Sequence, residues 1–107
     1  MDALSQKLQA LSDPTRRAIL GKLRDGEATV NELAKPFAMS LPAVSKHLKV
    51  LEQAGLITRS IKAQQRPCKL SAKGLKEVDD WMNTYRQIWE QRLDRLETYL
   101  KKIQEEK

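Results

Sequence analysis

The sequence predicts a mainly α-helical fold that contains one small β-hairpin. Three observations favour it: apolar residues recur every three or four positions in several short stretches, two brief extended stretches follow them, and a last stretch keeps helical spacing without a proline. A chain of 107 residues has room for one domain, which we expect to span residues 1–107.

The first two predicted helices are short. Leucines at helical spacing predict an amphipathic helix over residues 2–11: Leu4, Leu8 and Leu11. A second helix begins after Ser12 or Asp13, either of which can cap it, and has a proline in its first turn. Asp25-Gly26 ends this helix.

The next two helices have the pattern of a helix-turn-helix. Thr29 and Glu32 have the spacing of a capping box, in which each side chain satisfies a backbone N–H at the helix start, so a short third helix begins there. Ser40 caps a fourth helix over about residues 40–54, and Gly55 ends it in a left-handed conformation. Its predicted buried stripe is Val44, Leu48 and Leu51.

The remaining residues predict a wing and a long helix. Alternation of Ile57, Arg59 and Ile61 with polar neighbours, followed by a second extended piece, predicts a β-hairpin over residues 56–70. Apolar residues then recur at helical spacing over residues 71–104, a helix of about 45 Å. The elements together predict a winged helix-turn-helix core over about residues 12–70, with N- and C-terminal dimerisation helices.

Positive charge is concentrated in the middle of the chain. Residues 35–76 contain nine lysines and arginines but only one acidic residue, Glu52, whereas the flanking segments are neutral or slightly acidic. A phosphate backbone would relieve the mutual repulsion of these charges. A solvated basic surface without a partner is the alternative that charge alone leaves open.

The exposed side of the fourth helix is predicted to enter the major groove of DNA, where serine and lysine can bond to base edges and a small apolar residue can touch thymine methyl groups. The predicted contacts of this helix are Ser40, Pro42, Ala43, Ser45, Lys46 and Lys49. The wing is predicted to add Arg59, Lys62, Gln64, Gln65 and Arg66. Arg16, with its neighbour Arg17, is a candidate for phosphate contact, and plain solvent exposure is the alternative for both.

The long helix carries more apolar side chains than one small domain can cover. They are Trp81, Met82, Tyr85, Ile88, Trp89, Leu93, Leu96 and Leu100. Packing this helix and the Leu4, Leu8 and Leu11 helix against a twofold mate would place two fourth helices about 34 Å apart, one turn of DNA. The alternative is a helix that folds back onto its own core.

The residues that catalysis or metal binding requires are scarce. His47 is the single histidine and Cys68 the single cysteine. One cysteine cannot form an internal disulfide or a multi-cysteine metal site, and one histidine leaves almost no residues for a Ser/His catalytic arrangement. We expect His47 to be a hydrogen-bonded packing residue and Cys68 to be buried. We therefore predict no enzyme, no metal and no cofactor. The sequence also has no signal peptide or membrane span, which predicts a cytoplasmic protein.

Three segments resemble the ArsR family of bacterial winged-helix repressors: "LSDPTRRAILGKL" (residues 11–23), "NELA" (residues 31–34) and "SLPAVSKHLKVLEQAGLI" (residues 40–57). "WMNTYRQIWEQRLDRLETYL" (residues 81–100) is similar to the C-terminal helix of a subgroup of that family. The resemblance implies a dimer that binds operator DNA near its own promoter and dissociates from it in response to a signal.

The sequence departs from the family's metal sensors. Members that sense arsenite, cadmium or lead have cysteines in an E-L-C-x-C segment, and the matching residues here are Glu32-Leu33-Ala34-Lys35-Pro36. Zinc-sensing members place histidine on the last helix, and this helix has none. We predict a sequence-specific repressor that binds a palindromic operator through residues 40–54 and the wing. The alternatives are a helical protein–protein interaction module and a thiol-responsive regulator that uses Cys68.

Overall fold

A computed structural model describes residues 1–61 and 66–106 of the chain. The predicted order of elements is confirmed. They are α1 (Ala3–Leu11), α2 (Pro14–Leu23), α3 (Val30–Ala34), α4 (Leu41–Gln53), β1 (Ile57–Arg59), β2 (Cys68–Leu70) and α5 (Ala72–Glu105).

Side-chain caps begin the helices where the sequence predicts them. Asp13, rather than Ser12, caps α2 by accepting a hydrogen bond from the Arg16 N–H at 3.0 Å, and this bond lowers the pKa of the Asp13 carboxyl. Thr29 and Glu32 form the complete capping box of α3. Each cap satisfies a backbone N–H that the helix itself cannot satisfy, so each one fixes where its helix starts.

One hydrophobic core joins the first four helices to the hairpin. The predicted stripe of α4 is confirmed, since Val44, Leu48 and Leu51 are fully buried. The other large buried side chains are Ile19, Leu20, Leu23, Leu33, Leu56 and Ile57. Because these side chains come from α2, α3, α4, β1 and the turn between α4 and β1, the core holds α3 and α4 together as a helix-turn-helix.

The hairpin is antiparallel and is tied to the loop after α2. Ile57 pairs with Leu70, and Arg59 pairs with Cys68. Cys68 also exchanges two backbone hydrogen bonds with Ala28, at 2.8 and 3.0 Å. The predicted alternation does not continue past β1, because the strand ends at Arg59 and Ile61 is 86% exposed.

The start of α5 rests on the end of α4. The Ser71 N–H donates to the Leu56 carbonyl at 2.9 Å, and a Cβ built on Gly74 would lie 1.9 Å from the carbonyl oxygen of Gly55. Only glycine allows this approach of two backbones. Gly55 itself has a φ of 79°, the left-handed conformation predicted for the residue that ends α4.

The rest of α5 projects from the globular body. Leu75 and Val78 are half-buried, but from Trp81 onwards each large apolar side chain of the helix that the structure describes is exposed. The described residues span 66 × 31 × 22 Å, and the helix has 34 residues, a length of about 51 Å.

A buried lysine joins α1 to α5. Lys7 is only 6% exposed, and its ammonium group pairs with the Glu77 carboxylate at 2.9 Å. The hydrogen bond and the positive charge of Lys7 lower the pKa of Glu77 below 4.5, its ordinary value. Without Glu77, the charge of Lys7 would have no partner in a place that water hardly reaches.

We expect Glu77→Gln to lower the free energy of unfolding near neutral pH and to make this free energy depend less on pH in the acidic range. Because the pKa of Glu77 is lower in the folded chain, the pair stabilises the fold above about pH 4.5 and loses its contribution as pH falls through the folded-state value. Urea unfolding at several pH values measures this. Asp80→Gln is the matched control, since Asp80 pairs with the exposed Lys76. Parallel pH profiles for wild type and Glu77→Gln would contradict the expectation.

Candidate nucleic-acid interface

The exposed side of α4 presents three of its predicted contacts to solvent. Pro42, Lys46 and Lys49 are exposed, whereas Ala43 and Ser45 are half-buried at the edges of this side. Ser40 is exposed too, and its hydroxyl accepts a hydrogen bond from the Ala43 N–H at 3.3 Å. Ser40 therefore fixes the start of the helix. We refer to α4 as the reader helix.

The exposed side of the reader helix includes residues that sequence reasoning missed. Val50, 37% exposed, and Gln53 continue the outward row, and Leu41, 48% exposed, stands beside Pro42 at the first turn. The spacing could have identified the row, because residues 42, 46, 49 and 53 follow one another at helical intervals opposite the buried stripe. The outward side is thus partly apolar at both ends and basic in the middle.

The wing residues divide into three groups. Arg66 is exposed, as a DNA contact requires. Lys62, Gln64 and Gln65 lie outside the described residues. Arg59 is half-buried with its Nε enclosed and its guanidinium beside the Cys68 thiol, so it faces the body of the protein more than the prediction of a DNA contact assumes.

Arg16 lies at a junction of three helices. From α2, its Nε donates to the Ala10 carbonyl at 2.7 Å and its Nη2 donates to the Gln9 carbonyl at 3.2 Å, both at the end of α1. Its Nη1 lies 3.3 Å from His47 Nδ1 on the reader helix. His47 is half-buried, as predicted for a hydrogen-bonded packing histidine. Contact between Arg16 and phosphate stays a prediction.

Arg17 resembles Arg16 in one respect only. Its Nη1 donates to the Leu11 carbonyl at 2.7 Å, so both arginines satisfy carbonyl groups that the end of α1 leaves open. Arg17 is exposed, and this bond directs its guanidinium to α1, away from His47.

Cys68 is fully buried in β2, as predicted. Burial raises the pKa of its thiol, although the nearby Arg59 guanidinium opposes the effect. A reactive cysteine is exposed and has a lowered pKa, so both properties of Cys68 oppose a role as a thiol sensor.

Over residues 1–61 and 66–106, no three histidine, cysteine or acidic side chains stand close enough to hold a metal ion. In the same ranges no helix has the length and apolar character that crossing a bilayer requires. Three acidic side chains of α5 pair with basic ones of the same helix: Asp80 with Lys76, Asp79 with Arg86, and Glu97 with Lys101.

The predicted dimerisation residues form one long exposed surface on α5. Their exposed fractions run from 41% at Met82 to 63% at Trp89, and Leu96 is 52% exposed. We call this set the α5 stripe: Trp81, Met82, Tyr85, Ile88, Trp89, Leu93, Leu96 and Leu100, with Tyr99 and Ile103 beside them. In α1 the arrangement differs, because Leu8 is 36% exposed, Leu4 is half-buried and Leu11 packs against the core of its own chain.

Comparison with known proteins gives relatives of one kind. Residues 11–60 match the family model described as a helix-turn-helix domain. The chain is 37% identical to the transcriptional repressor SdpR of Bacillus subtilis over 79 residues, which are 74% of this chain and 88% of SdpR. It is 46% identical to the HTH-type transcriptional regulator Rv2034 of Mycobacterium tuberculosis over 67 residues, 63% of each chain.

Solved structures agree with these relatives. The crystal structure of the ArsR family transcriptional regulator RHA00566 superposes with a TM-score of 0.75 at 43% identity, over 83% of this chain and 98% of that one. The homodimeric winged helix-turn-helix DNA-binding domain of Mb0332 from Mycobacterium bovis has a TM-score of 0.63 at 21% identity, over 83% of this chain and 80% of that one. The second likeness concerns the fold alone, and it confirms the predicted winged helix-turn-helix.

Proposed function

The chain belongs to the ArsR family of transcriptional regulators, and from that premise we propose that it represses transcription as a homodimer bound to a palindromic operator. Its relatives are regulators, a non-enzymatic class, in agreement with the prediction that the chain is not an enzyme. The bound dimer would block RNA polymerase sterically, in the cytoplasm.

The observation that carries this proposal is the outward side of the reader helix. A capped helix that exposes Pro42, Lys46 and Lys49 has the width and the polar groups that a major groove admits. The hairpin follows the reader helix along the chain, and its pairing with Ala28 ties it to the loop after α2. From there Arg66 would contact the backbone beside the groove. Exposed lysines of the basic segment, residues 35–76, would add phosphate contacts that do not depend on sequence: Lys35, Lys69, Lys73 and Lys76.

The α5 stripe supports a homodimer. Large apolar side chains that are about half exposed over 20 residues of helix need a cover, and a second α5 offers a self-complementary one. Two copies would also supply the two reader helices that a palindrome requires.

The experiment that tests the function is a selection of bound fragments from random duplex DNA, with purified protein and no added ligand. We expect an inverted repeat whose half-sites lie about one helical turn apart. Enrichment of no sequence would contradict a sequence-specific repressor. Co-purification of a different protein on α5, with no duplex retained, would favour the interaction module.

Replacing Lys46 and Lys49 together with alanine should weaken operator binding at least about tenfold. The plot of log affinity against log salt concentration should also become less steep, by about one for each phosphate that the variant no longer touches. Fluorescence anisotropy with the selected operator measures both quantities. Lys101→Ala is the control, because Lys101 is an exposed lysine of α5 outside the basic segment. Equal affinities for the double variant and the wild type would exclude these lysines from the interface.

A further inference from the structure

The junction around Arg16 connects the helix that begins the chain to the helix that is proposed to read DNA. Arg16 belongs to α2, and its guanidinium contacts two other helices. It donates to two carbonyl groups of α1 and lies beside the imidazole of His47 on the reader helix. These contacts leave it half-buried, whereas Arg17 next to it is exposed. A guanidinium held by three partners is poorly placed to reach across to a phosphate.

We propose that Arg16 is a positioning residue for operator binding: it fixes the reader helix against the end of α1 through His47 and does not itself contact DNA. This role rests on the proposed function. It replaces the phosphate contact that the sequence suggests for Arg16. His47 follows Lys46 directly, so a shift of His47 moves the side of the helix that faces the groove.

The contact between Arg16 and His47 requires a neutral imidazole. A guanidinium has five donors and no acceptor, so His47 Nδ1 must accept, with the ring proton on Nε2. Protonation of Nδ1 would place two donors and two positive charges face to face. The contact therefore needs a hydrogen-bond acceptor at position 47.

The other charged groups near the reader helix are held by other partners. Asp13, the cap of α2, accepts a hydrogen bond from the Arg16 backbone N–H, and this bond lowers the pKa of its carboxyl. The charged groups of α1, α3 and β1 have partners elsewhere: Lys7 with Glu77, Glu32 with Thr29, and Arg59 with Cys68.

The salt dependence of binding separates positioning from a phosphate contact. Removing a cationic side chain that touches a phosphate makes the plot of log affinity against log salt concentration less steep. Removing a residue that only holds the reader helix in place lowers the affinity and leaves this slope unchanged.

The test compares five full-length proteins on the operator recovered by selection: wild type, Arg16→Met, Ser12→Ala, His47→Asn and His47→Leu. Affinity is measured across salt concentrations, and circular dichroism checks that each variant is folded. Ser12→Ala is the matched control, because it also removes a bond to the Gln9 carbonyl of α1 but does not touch His47. His47→Asn keeps an acceptor near the place of Nδ1, whereas His47→Leu has none.

We expect Arg16→Met to bind about tenfold more weakly with an unchanged salt slope, and Ser12→Ala to bind like wild type. His47→Leu should weaken binding as Arg16→Met does, whereas His47→Asn should keep most of the affinity. A salt slope reduced by about two in the Arg16→Met dimer would identify a phosphate contact and overturn the proposal. Unchanged affinity of Arg16→Met or of His47→Leu would also overturn it. Failure of the wild-type protein to bind any selected duplex overturns the proposed function itself.

Discussion

Replacing Gly74 with alanine is expected to lower the free energy of unfolding by about 3 kcal/mol or more. The new Cβ would stand 1.9 Å from the Gly55 carbonyl oxygen, less than any non-bonded contact allows. The carbonyl belongs to the backbone and the position of a Cβ is fixed by the backbone, so no side-chain rotation relieves the clash and α5 must move away from α4. That movement would break the hydrogen bond between Ser71 and Leu56 and pull Glu77 from Lys7.

Urea or thermal unfolding followed by circular dichroism measures the change. Gly21→Ala is the matched control, because Gly21 lies in α2, where an added Cβ would have nothing within 4 Å. This variant should gain about 0.5–1 kcal/mol from the better helix propensity of alanine. Equal stability of Gly74→Ala and wild type would mean that α5 is not seated on the end of α4.

Replacing Leu96 with glutamate is expected to convert the proposed dimer to a monomer and to weaken operator binding by about a hundredfold or more. Leu96 lies within the α5 stripe, and a second copy would bury a carboxylate there without a partner. A monomer reaches only one half-site, so it forgoes the gain from two linked binding events, which is commonly about 10²–10⁴-fold. Sedimentation measures the mass in solution, and anisotropy measures the affinity.

Gln91→Glu controls for the added charge, because Gln91 is exposed on the side of α5 opposite Trp89 and Leu93. It should remain dimeric and bind like wild type. A wild-type chain that sediments as a monomer at micromolar concentration, or a Leu96→Glu variant that stays dimeric, would contradict the proposed interface.

Sequence periodicity and capping are sufficient to predict most of the fold. A cap such as Ser40 satisfies an N–H three residues away, and the α4 stripe repeats every three or four residues, so both signals are local. The same holds for the apolar positions of α5. The exposure of that stripe follows from comparing its size with the core that a short chain can build.

The features that the sequence does not reveal depend on contacts between distant residues. Arg16 and His47 are 31 positions apart, and nothing local distinguishes Arg16 from Arg17. Gly74 fits an ordinary helical pattern until the Gly55 carbonyl lies beside it. The expectation of Arg59 at the DNA follows from its charge and its place in the wing, whereas β1 ends at Arg59 and pairs it with the buried Cys68.

Because half of α5 projects from the body, the folding of its distal turns depends on protein concentration. In a lone chain, the described turns after Trp89 are supported by backbone bonds and by the ion pair of Lys101 with Glu97, which are marginal for an isolated helix in water. Each association event supplies the missing contacts, so the melting temperature should rise with protein concentration. A newly made chain would then acquire its complete architecture only once a cell contains enough copies for two of them to meet.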